Sequence, residues 1–337
     1  MRAYQLRPLE GFDAVSRVDR QAPTLGPHDL RVRVRAVSLN YRDVAMARSP
    51  QFRPPGARVT PCSDGAGEVV DVGSAVTRFA VGERVAAIFF PDWIDGLFQA
   101  DYRRRALGAC ELGMLSEEVV LPEQSWVSIP PHLSYDEAAT LPCAGVTAYH
   151  ALFEAAHVGP GSTVLVQGTG GVSIFALQLA KAAGARVLLT SKSAAKREHA
   201  TRLGADQVLD YLATPDWGEA AFAWADGRGV DVVVEVGGPG TFDQSIAALR
   251  FNGMLTVIGV LTGIKGEVNT FGLFHKSLTA RGITVGSRRV FEALTRAIRA
   301  VQLHPVIDRV FDFEDARAAY EHVASGAHFG KVVIRVT

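Results

Sequence analysis

The sequence has few cysteines and no long apolar run. Cys62, Cys110 and Cys143 lie far apart and form no C-x-x-C pair. We therefore expect no disulfide framework, and a reducing cytoplasm fits this composition. No apolar stretch approaches the roughly 18 residues that span a bilayer, so no membrane partner is expected. Residues 1–6 lack the apolar core of a signal peptide and instead predict a first β-strand.

An excess of charge of either sign is also missing. Among 337 residues, Lys and Arg together number 35 and Asp and Glu together number 35, which gives no bulk attraction to nucleic acid. The densest basic run, residues 103–105, is interpreted as a solvated loop surface. The length predicts two domains. A content of 48% hydrophobic and 21% charged residues is typical of a packed globular protein.

The first third of the chain predicts short β-strands. Residues 30–37 alternate apolar and basic side chains, which is the period-2 pattern of a strand with one solvated face. Residues 65–73 and 81–88 predict two further strands beside glycine turns. Several short strands joined by Gly and Pro turns indicate a small barrel or sandwich.

From about residue 130 onward, apolar strands alternate with helices. The pattern predicts helices at residues 135–139, 144–154, 172–183, up to 203 and at 291–300, and strands at 163–166, 185–190, 207–209, 231–236, 254–258, 282–285 and 331–336. Near-continuous apolar strands between helices indicate a parallel sheet with both faces covered.

The most specific motif is a glycine-rich turn between a predicted strand and a predicted helix. Its residues are Gly168, Thr169, Gly170, Gly171, Val172 and Ser173. Gly168 permits a tight turn, and Gly170 and Gly171 let the backbone approach a pyrophosphate at the helix N-terminus. Ser173 replaces the third glycine of the pattern and is small enough for close helix–strand packing, with some loosening. In this strand–turn–helix context the motif predicts a nicotinamide dinucleotide site.

The residues after the next strand distinguish NADPH from NADH. A site for NADH normally places an acid on the ribose 2′-hydroxyl at the end of this strand. Here Ser191, Lys192, Lys196 and Arg197 follow instead, and the first acid downstream is Glu198. Hydroxyl and cationic groups suit a 2′-phosphate, so NADPH is the predicted cofactor.

Together these segments resemble the medium-chain dehydrogenase/reductase superfamily, and most closely its zinc-free quinone oxidoreductase-like branch. The segments that carry the resemblance are residues 39–44, 65–70, 138–142, 160–166, 203–206 and 329–333. The resemblance covers essentially the whole chain and implies an α/β fold. It implies a Rossmann doubly wound parallel sheet and a chaperonin-10-like (GroES-like) β-barrel domain. The domains implied are a GroES-like catalytic domain (1–126), a Rossmann dinucleotide-binding domain (127–287) and a return to the catalytic domain (288–337).

The resemblance also implies roles for residues outside the glycine turn. In the quinone oxidoreductases a Lys and a Tyr grip the 2′-phosphate, and Lys196 and Tyr211 stand at the matching positions. This match favours NADPH beyond the charge argument alone. Further cofactor contacts are expected from Thr147 on the nicotinamide side and from Gly259, Val260 and Lys331.

Zinc members of the superfamily carry ligands that this chain lacks. Asn40, Ser63 and Asp64 stand at ligand positions, and only Cys143 matches a ligand. The four-cysteine structural lobe is missing too, because residues 94–113 contain a single cysteine. A catalytic zinc takes about three protein ligands and a water, so no metal is expected. Cys143 is then interpreted as a small buried residue beside the cofactor, with a catalytic thiol as the alternative.

Without a metal, hydrogen-bond donors must stabilise the charge that develops on the substrate oxygen. Asn40, Tyr41 and Ser63 come from segments that line the active-site cleft in the resembling family. We expect them to be the catalytic residues, with Tyr41 also able to pass on a proton. Alternatives are that Tyr41 is a wall residue, that Asp64 pairs with a nearby Arg, and that Asp43 ties the loop together.

The expected reaction follows from the missing metal. A conjugated acceptor delocalises the incoming charge, so we expect hydride transfer from NADPH to a quinone or an α,β-unsaturated carbonyl compound. Two alternatives stay open: an NADP-dependent alcohol dehydrogenase or carbonyl reductase of simple alcohols or aldehydes, and a non-enzymatic NADPH-binding protein.

Several aromatic residues could form an apolar lining of the substrate site: Phe89, Phe90, Trp93, Phe271 and Phe274. Core packing explains each of them equally well.

A homodimer is also expected. Residues 254–260 are a candidate edge strand of the parallel sheet. Such an edge is able to pair with a second copy across a two-fold axis.

Overall fold

The chain forms two compact units. The structure is a computed structural model that describes residues 1–7, 11–48, 59–110 and 112–336. The β-rich unit comprises Met1–Val146 and Val285–Thr337, and the α/β unit comprises Thr147–Thr284.

Residues 127–146, expected within the Rossmann domain, group with the β-rich unit. One contact that holds them there is a hydrogen bond of 3.2 Å from Cys143 N to Asp64 Oδ2. An ion pair between Arg335 and Asp136 is another.

Strands and helices follow one another along the described residues. The strands are β1 (Arg2–Leu6), β2 (Val15–Asp19), β3 (Asp29–Leu39), β4 (Asp64–Val72), β5 (Arg84–Ala87), β6 (Glu118–Pro122), β7 (Trp126–Ser128), β8 (Thr163–Gln167), β9 (Arg186–Thr190), β10 (Gln207–Leu209), β11 (Val230–Glu235), β12 (Leu249–Val257), β13 (Thr279–Gly282), β14 (Ile307–Asp312) and β15 (Lys331–Arg335). The α-helices are α1 (Tyr41–Arg48), α2 (Tyr135–Ala138), α3 (Val146–Tyr149), α4 (Gly171–Ala182), α5 (Ala194–Arg202), α6 (Trp217–Trp224), α7 (Pro239–Ala248), α8 (Phe271–His275), α9 (Arg288–Val301) and α10 (Ala316–Ser325). None of these described helices has the length and apolar character needed to cross a bilayer.

The long strand β3 organises the β-rich unit. It pairs antiparallel with β4, β6 and β15 in a seven-stranded sheet of order β14-β15-β3-β4-β5-β7, in which β6 lies beside β3. The alternation expected at residues 30–37 is confirmed, because Leu30, Val32 and Val34 are fully buried while the arginines between them remain partly or fully exposed. Trp126 and Tyr320 are among the large side chains that fill the core of this unit.

The α/β unit contains a six-stranded sheet in which every neighbouring pair is parallel. The strand order is β10-β9-β8-β11-β12-β13, so the direction of progression reverses between β8 and β11. Right-handed crossovers on the two sides of this reversal place helices on opposite faces of the sheet. The order is that of the doubly wound dinucleotide-binding fold, and it confirms the predicted parallel sheet.

Two predictions about the last strands of this sheet are wrong. β12 is not an edge strand, because it pairs with β11 on one side and with β13 on the other. The final strand ends at Gly282 instead of spanning residues 282–285. Val285 has a φ of 48°, a left-handed conformation that a strand does not accommodate. The apolar residue Ile283 packs on Ala151 and Ala155 instead.

The helix expected at residues 144–154 is not α-helical throughout. Leu141–Gly145 and His150–Ala155 are π-helical turns, and only α3 between them is α-helical. The bond from Ala156 N to Ala151 O spans five residues, as π-helical pairing requires. Apolar periodicity does not separate these two helix types.

Candidate functional site

The glycine-rich turn leaves the carboxyl end of β8, beside the reversal of strand order. Gly168 has a φ of 69°, which favours glycine, and its N–H donates to Thr190 O at 2.8 Å. A Cβ atom on Gly168 or Gly170 would meet no atom within 4 Å. Gly170 precedes α4 and offers no side-chain cap to it. The open space and the uncapped helix N-terminus fit a dinucleotide pyrophosphate.

The remaining residues of the motif lie where the helix starts. Thr169 is buried, whereas Gly171 and Val172, the first two residues of α4, are partly exposed. Ser173 is buried, and its Oγ donates to Gln167 O at 2.7 Å. The residue that replaces the third glycine therefore ties the helix to the end of β8.

A buried carboxylate that the sequence analysis missed lies at the end of β11. Glu235 is fully buried. Its oxygens accept hydrogen bonds from five neutral donors: Gly237 N at 2.7 Å, Gly238 N at 2.8 Å, Thr241 Oγ1 at 2.6 Å, Gln167 Nε2 at 2.7 Å and Ser245 Oγ. Because Gln167 directly precedes Gly168, this network joins the glycine-rich turn to β11. An acid that ends an apolar strand is visible in the sequence, but its distant donors are not.

The residues expected at the 2′-phosphate follow β9. They differ in exposure: Ser191 is buried, Lys192 is exposed, and Lys196 and Tyr211 are partly exposed. Arg197 donates to Ser191 O at 2.7 Å and to Asp210 Oδ2 at 2.9 Å, so its charge is already compensated within the protein. Lys196, the first of the two cations on α5, is the one that the family resemblance assigns to the phosphate.

Two further predicted cofactor residues follow β12. Gly259 and Val260 come just beyond the end of this strand, at the same edge of the sheet as the glycine-rich turn, because the strands are parallel. A Cβ atom on Gly259 would lie 2.0 Å from Val236 O, so close backbone approach requires glycine there. Val260 is exposed and Thr147 is buried.

A second group of predicted residues meets in the β-rich unit. Antiparallel pairing places Val332 of β15 opposite Leu39 of β3. Lys331 and Asn40, each one residue beyond this pair, therefore lie side by side. β4 begins at Asp64 against the same end of β3. The sheet register thus brings together residues from three distant parts of the sequence.

Lys331 is the cation of this cluster. Its Nζ donates to Asn40 Oδ1 at 2.6 Å and to Leu39 O at 2.7 Å, and lies 3.9 Å from Asp64 Oδ2. Only 3% of Lys331 is exposed and Asp64 is fully buried. Burial raises the pKa of Asp64, and the charge of Lys331 opposes this rise. Among the described contacts, the cation beside Asp64 is thus Lys331 and not the Arg considered as an alternative.

The start of α1 adds a second carboxyl group. Asp43 Oδ2 accepts from Asn40 N at 2.8 Å, so Asp43 does tie this loop together. Its Oδ1 has no hydrogen-bond partner among the described residues. Burial raises the pKa of Asp43 to about 6, and the charge of Arg42 opposes this rise. Tyr41 is 50% exposed, so its hydroxyl is within reach of water.

The side chains of this cluster are not a suitable set of ligands for a zinc ion. The buried ammonium of Lys331 lies 3.9 Å from the carboxylate of Asp64 and would repel a dication. Within the described ranges, no group of three or more His, Cys, Asp and Glu is arranged to hold a metal. Desolvation raises the pKa of the half-buried Cys143 to about 12, which disfavours a catalytic thiolate.

The aromatic candidates divide into two groups. Phe89, Phe90 and Trp93 are buried and packed together, so core packing accounts for them. Phe271 and Phe274 are 63% and 80% exposed, so core packing does not explain these two residues.

Comparisons with known proteins agree with this architecture. The family described as "Alcohol dehydrogenase GroES-like domain" matches residues 26–131, and the family described as "Zinc-binding dehydrogenase" matches residues 171–300. A zinc-type alcohol dehydrogenase-like protein of Schizosaccharomyces pombe is 41% identical, with 97% of each chain covered. A quinone oxidoreductase of Pseudomonas aeruginosa is 30% identical, with 98% of each chain covered.

Solved structures show the same relationship. A Sinorhizobium meliloti protein, provisionally named an alcohol dehydrogenase, has a TM-score of 0.91 and 42% identity, over 96% of this chain and 95% of that one. An NAD-dependent alcohol dehydrogenase has a TM-score of 0.89 and 32% identity over 100% of both chains. The chain belongs to the medium-chain dehydrogenase/reductase superfamily. It is an oxidoreductase with a GroES-like domain and a Rossmann-type sheet, as the sequence predicted.

Proposed function

We propose that this protein is an NADPH-dependent oxidoreductase that reduces a quinone or an α,β-unsaturated carbonyl compound without a metal. The observation that carries the proposal is the contact of Lys331 with Asn40 and Asp64, at positions where zinc members have ligands. A metal-free site stabilises an oxyanion with hydrogen-bond donors only. Such a site suits a conjugated acceptor, because conjugation spreads the incoming charge.

The α/β unit holds the cofactor in this proposal. Residues 168–172 and the N-terminus of α4 bind the pyrophosphate, with Thr147 and residues 259–260 as further contacts. Lys196 and Tyr211 bind the 2′-phosphate that distinguishes NADPH from NADH. When bound, NADPH supplies the hydride.

The polar cluster of the β-rich unit then acts on the substrate oxygen. Ser63 Oγ donates its single proton to Asp64 Oδ1 at 2.7 Å, so it has no second proton for the substrate. Asn40 Nδ2 and the Tyr41 hydroxyl are the donors that we assign to the developing oxyanion. Tyr41, being half exposed, passes a proton from water to that oxygen.

One other function has specific support. The names of the S. pombe and S. meliloti proteins favour an alcohol dehydrogenase or carbonyl reductase, and the NAD-dependent structure favours NADH as cofactor. A non-enzymatic NADPH-binding protein would keep the dinucleotide turn and need no donors at Asn40 and Tyr41.

A substrate panel separates these functions. Purified protein is assayed with NADPH and with NADH against quinones, enones, saturated aldehydes and alcohols, before and after treatment with a chelator. We expect kcat/KM to favour NADPH over NADH by about tenfold or more, which corresponds to about 1.4 kcal/mol. Quinones or enones should react faster than saturated aldehydes, and the chelator should not change the rates.

Other outcomes each identify a different function. Preferred oxidation of alcohols would establish a dehydrogenase, and activity lost to the chelator and restored by zinc would establish a metal enzyme. NADPH binding without turnover across the panel would establish the non-enzymatic function. The site assignment is tested separately with Asn40→Ala and Tyr41→Phe, and it is wrong if both variants keep wild-type turnover.

We also propose a homodimer that works in the cytoplasm, where its cysteines stay reduced. Because all four residues of β13 are exposed and no described strand pairs with its outer side, β13 offers the edge that β12 does not. Phe271 and Phe274 of the neighbouring helix α8 are exposed as well, which favours burial against a second copy.

A further inference from the structure

We propose that Lys331 is a positioning residue for the reaction. Its ammonium holds the side-chain amide of Asn40 so that the NH₂ group, and not the carbonyl oxygen, faces Ser63 and the substrate oxygen. This inference rests on the proposed function. It differs from the contact with the cofactor that the family resemblance implied for Lys331.

The donor-only chemistry of an ammonium decides the orientation of the amide. Lys331 Nζ lies 2.6 Å from the amide of Asn40, and an ammonium donates hydrogen bonds but accepts none. The amide atom that faces it must therefore be Oδ1. The two ends of an Asn amide have nearly the same shape, so shape alone does not fix this choice. Nδ2 is thereby directed away from Lys331, and lies 3.5 Å from Ser63 Oγ.

Lys331 itself is firmly held. Its Nζ also donates to Leu39 O at 2.7 Å, a backbone atom that pairing of β3 with β15 fixes in place. Only 3% of the residue is exposed, so solvent does not compete for the ammonium. The amide of Asn40 is thus held by a side chain that has little freedom of its own.

The other hydrogen bonds of the cluster agree with this orientation of the amide. Asn40 Nδ2 donates to Ser63 Oγ, and Ser63 Oγ donates to Asp64 Oδ1 at 2.7 Å. The second oxygen of Asp64 lies 3.9 Å from Lys331 Nζ, which closes a ring of four residues. The side chain of Asn40 also makes a hydrogen bond to Asp64, which lowers the pKa of that carboxyl group. The amide of Asn40 carries two N–H bonds. One is directed at Ser63 and Asp64, and the other is the donor that we assign to the substrate oxygen.

Loss of the ammonium removes the constraint on the amide. A neutral side chain at residue 331 lets Asn40 rotate so that Oδ1 faces the substrate. A carbonyl oxygen repels a developing oxyanion, whereas an N–H stabilises it. The defect should therefore appear in turnover and not in the affinity for NADPH.

The test compares Lys331→Met with Asn40→Ala, with the double variant and with Lys181→Met as a control. Lys181 lies near the end of α4 in the α/β unit and pairs with Asp206 at 2.7 Å, so it makes no contact within the cluster. We expect K331M to lower kcat about 100-fold, the loss typical of one missing oxyanion donor. The Kd for NADPH, measured by fluorescence titration, should stay within about threefold, which is less than 1 kcal/mol. K181M should change neither quantity.

The double variant tests whether the two residues act together. If Lys331 acts through Asn40, the double variant is no slower than Asn40→Ala alone, because coupled residues are not additive. Lys331→Arg keeps a donor-only cation and should restore kcat to within about tenfold of the wild type. If K331M does not fold, kcat is measured for K331R alone and for K331R combined with N40A. The kcat of K331R alone should then stay within about tenfold of the wild type, and the loss of Asn40 in the double variant should lower kcat by about 100-fold.

Two kinetic outcomes overturn the inference. One is a kcat of K331M equal to that of the wild type. The other is weaker NADPH binding with unchanged kcat, which would place Lys331 at the cofactor.

Failure of the proposed function is a separate outcome, because it appears as wild-type protein without turnover on the panel. In that case the amide of Asn40 is observed directly by NMR of its side-chain NH₂ group, identified by its absence in N40A. A signal that shifts or broadens in K331M but not in K181M supports the inference, and an unchanged signal in K331M overturns it.

Discussion

The hydroxyl of Ser173 donates a hydrogen bond of 2.7 Å to the carbonyl oxygen of Gln167, the last residue of β8. Helix α4 and strand β8 are therefore joined by a side chain at the position where the dinucleotide motif usually has glycine. No atom, the Ser173 hydroxyl included, lies within 4 Å of the position that a Cβ atom on Gly168 would take. Ser173 thus stabilises the turn without occupying the space for a pyrophosphate.

Ser173→Ala should lower the free energy of unfolding by about 1 kcal/mol, the usual contribution of one hydrogen bond. Ser173→Gly should lower it by about 1–2 kcal/mol, because glycine also weakens the helix. Urea unfolding measures both changes, with the exposed Ser74→Ala as a control. The Kd for NADPH should change less than about twofold. A large loss of affinity at unchanged stability would show that the hydroxyl contacts the cofactor.

Glu235→Gln should destabilise the α/β unit. The substitution replaces an oxygen that accepts hydrogen bonds with an NH₂ group that faces the donors Gln167 and Ser245. We expect a loss of about 2–3 kcal/mol in the free energy of unfolding and weaker NADPH binding, because Gln167 precedes the glycine-rich turn. Glu219→Gln, at an exposed position on α6, is the matched control. Wild-type stability and affinity of E235Q would contradict a role for this network.

Lys196→Ala should reduce the preference for NADPH. Removing one charged contact with a phosphate costs about 1.5–3 kcal/mol, so the ratio of kcat/KM for NADPH to that for NADH should fall by about tenfold or more. The activity with NADH should remain. Arg202→Ala, which removes a residue paired with Glu198 on the same helix, should leave the ratio unchanged. An unchanged ratio in K196A would show that Lys196 does not bind the 2′-phosphate.

Asp43 should make stability depend on pH. Burial raises its pKa to about 6 in the folded protein, above the unfolded value of about 3.9. The folded state therefore binds the proton more tightly, and this contribution to stability is lost as pH rises from about 4 through about 6. Asp43→Asn removes the effect, so the stability of D43N relative to the wild type should increase over this window by about 1–3 kcal/mol.

Urea unfolding at several pH values measures this difference for Asp43. The exposed Asp19→Asn is the control, and it should show no comparable change. A difference between D43N and the wild type that is constant from pH 4 to pH 7 would contradict the buried, protonated state.

The exposed phenylalanines of α8 should control the oligomeric state. We expect the wild type, with a chain mass of 36.1 kDa, to sediment as a dimer. Phe271→Glu combined with Phe274→Glu should shift it to monomer, because charges oppose burial of this surface. Leu97→Glu changes a residue of the β-rich unit that is 85% exposed and should leave the dimer intact. A wild-type monomer at all concentrations would refute the dimer.

Local patterns in the sequence were sufficient to predict most of the fold. The alternation at residues 30–37 and the apolar run at residues 163–166 each identified a strand. A strand that is buried on one face has alternating apolar and polar residues, and a strand that is buried on both faces has a continuous apolar run. The glycine-rich turn was also readable, since the left-handed φ of Gly168 favours glycine. The strand at residues 282–285 was misplaced, because an apolar run does not reveal the left-handed backbone of Val285.

The sequence by itself determined the two kinds of unit and the dinucleotide motif, because each depends on residue type and short spacing. The tertiary structure alone decided that β13 and not β12 is the exposed edge. It alone brought Lys331 to Asn40 and Gln167 to Glu235. These relationships depend on which strands become neighbours, and strand pairing joins segments that are distant in the chain. For that reason only the tertiary structure identified Lys331 as the cation of the candidate catalytic cluster.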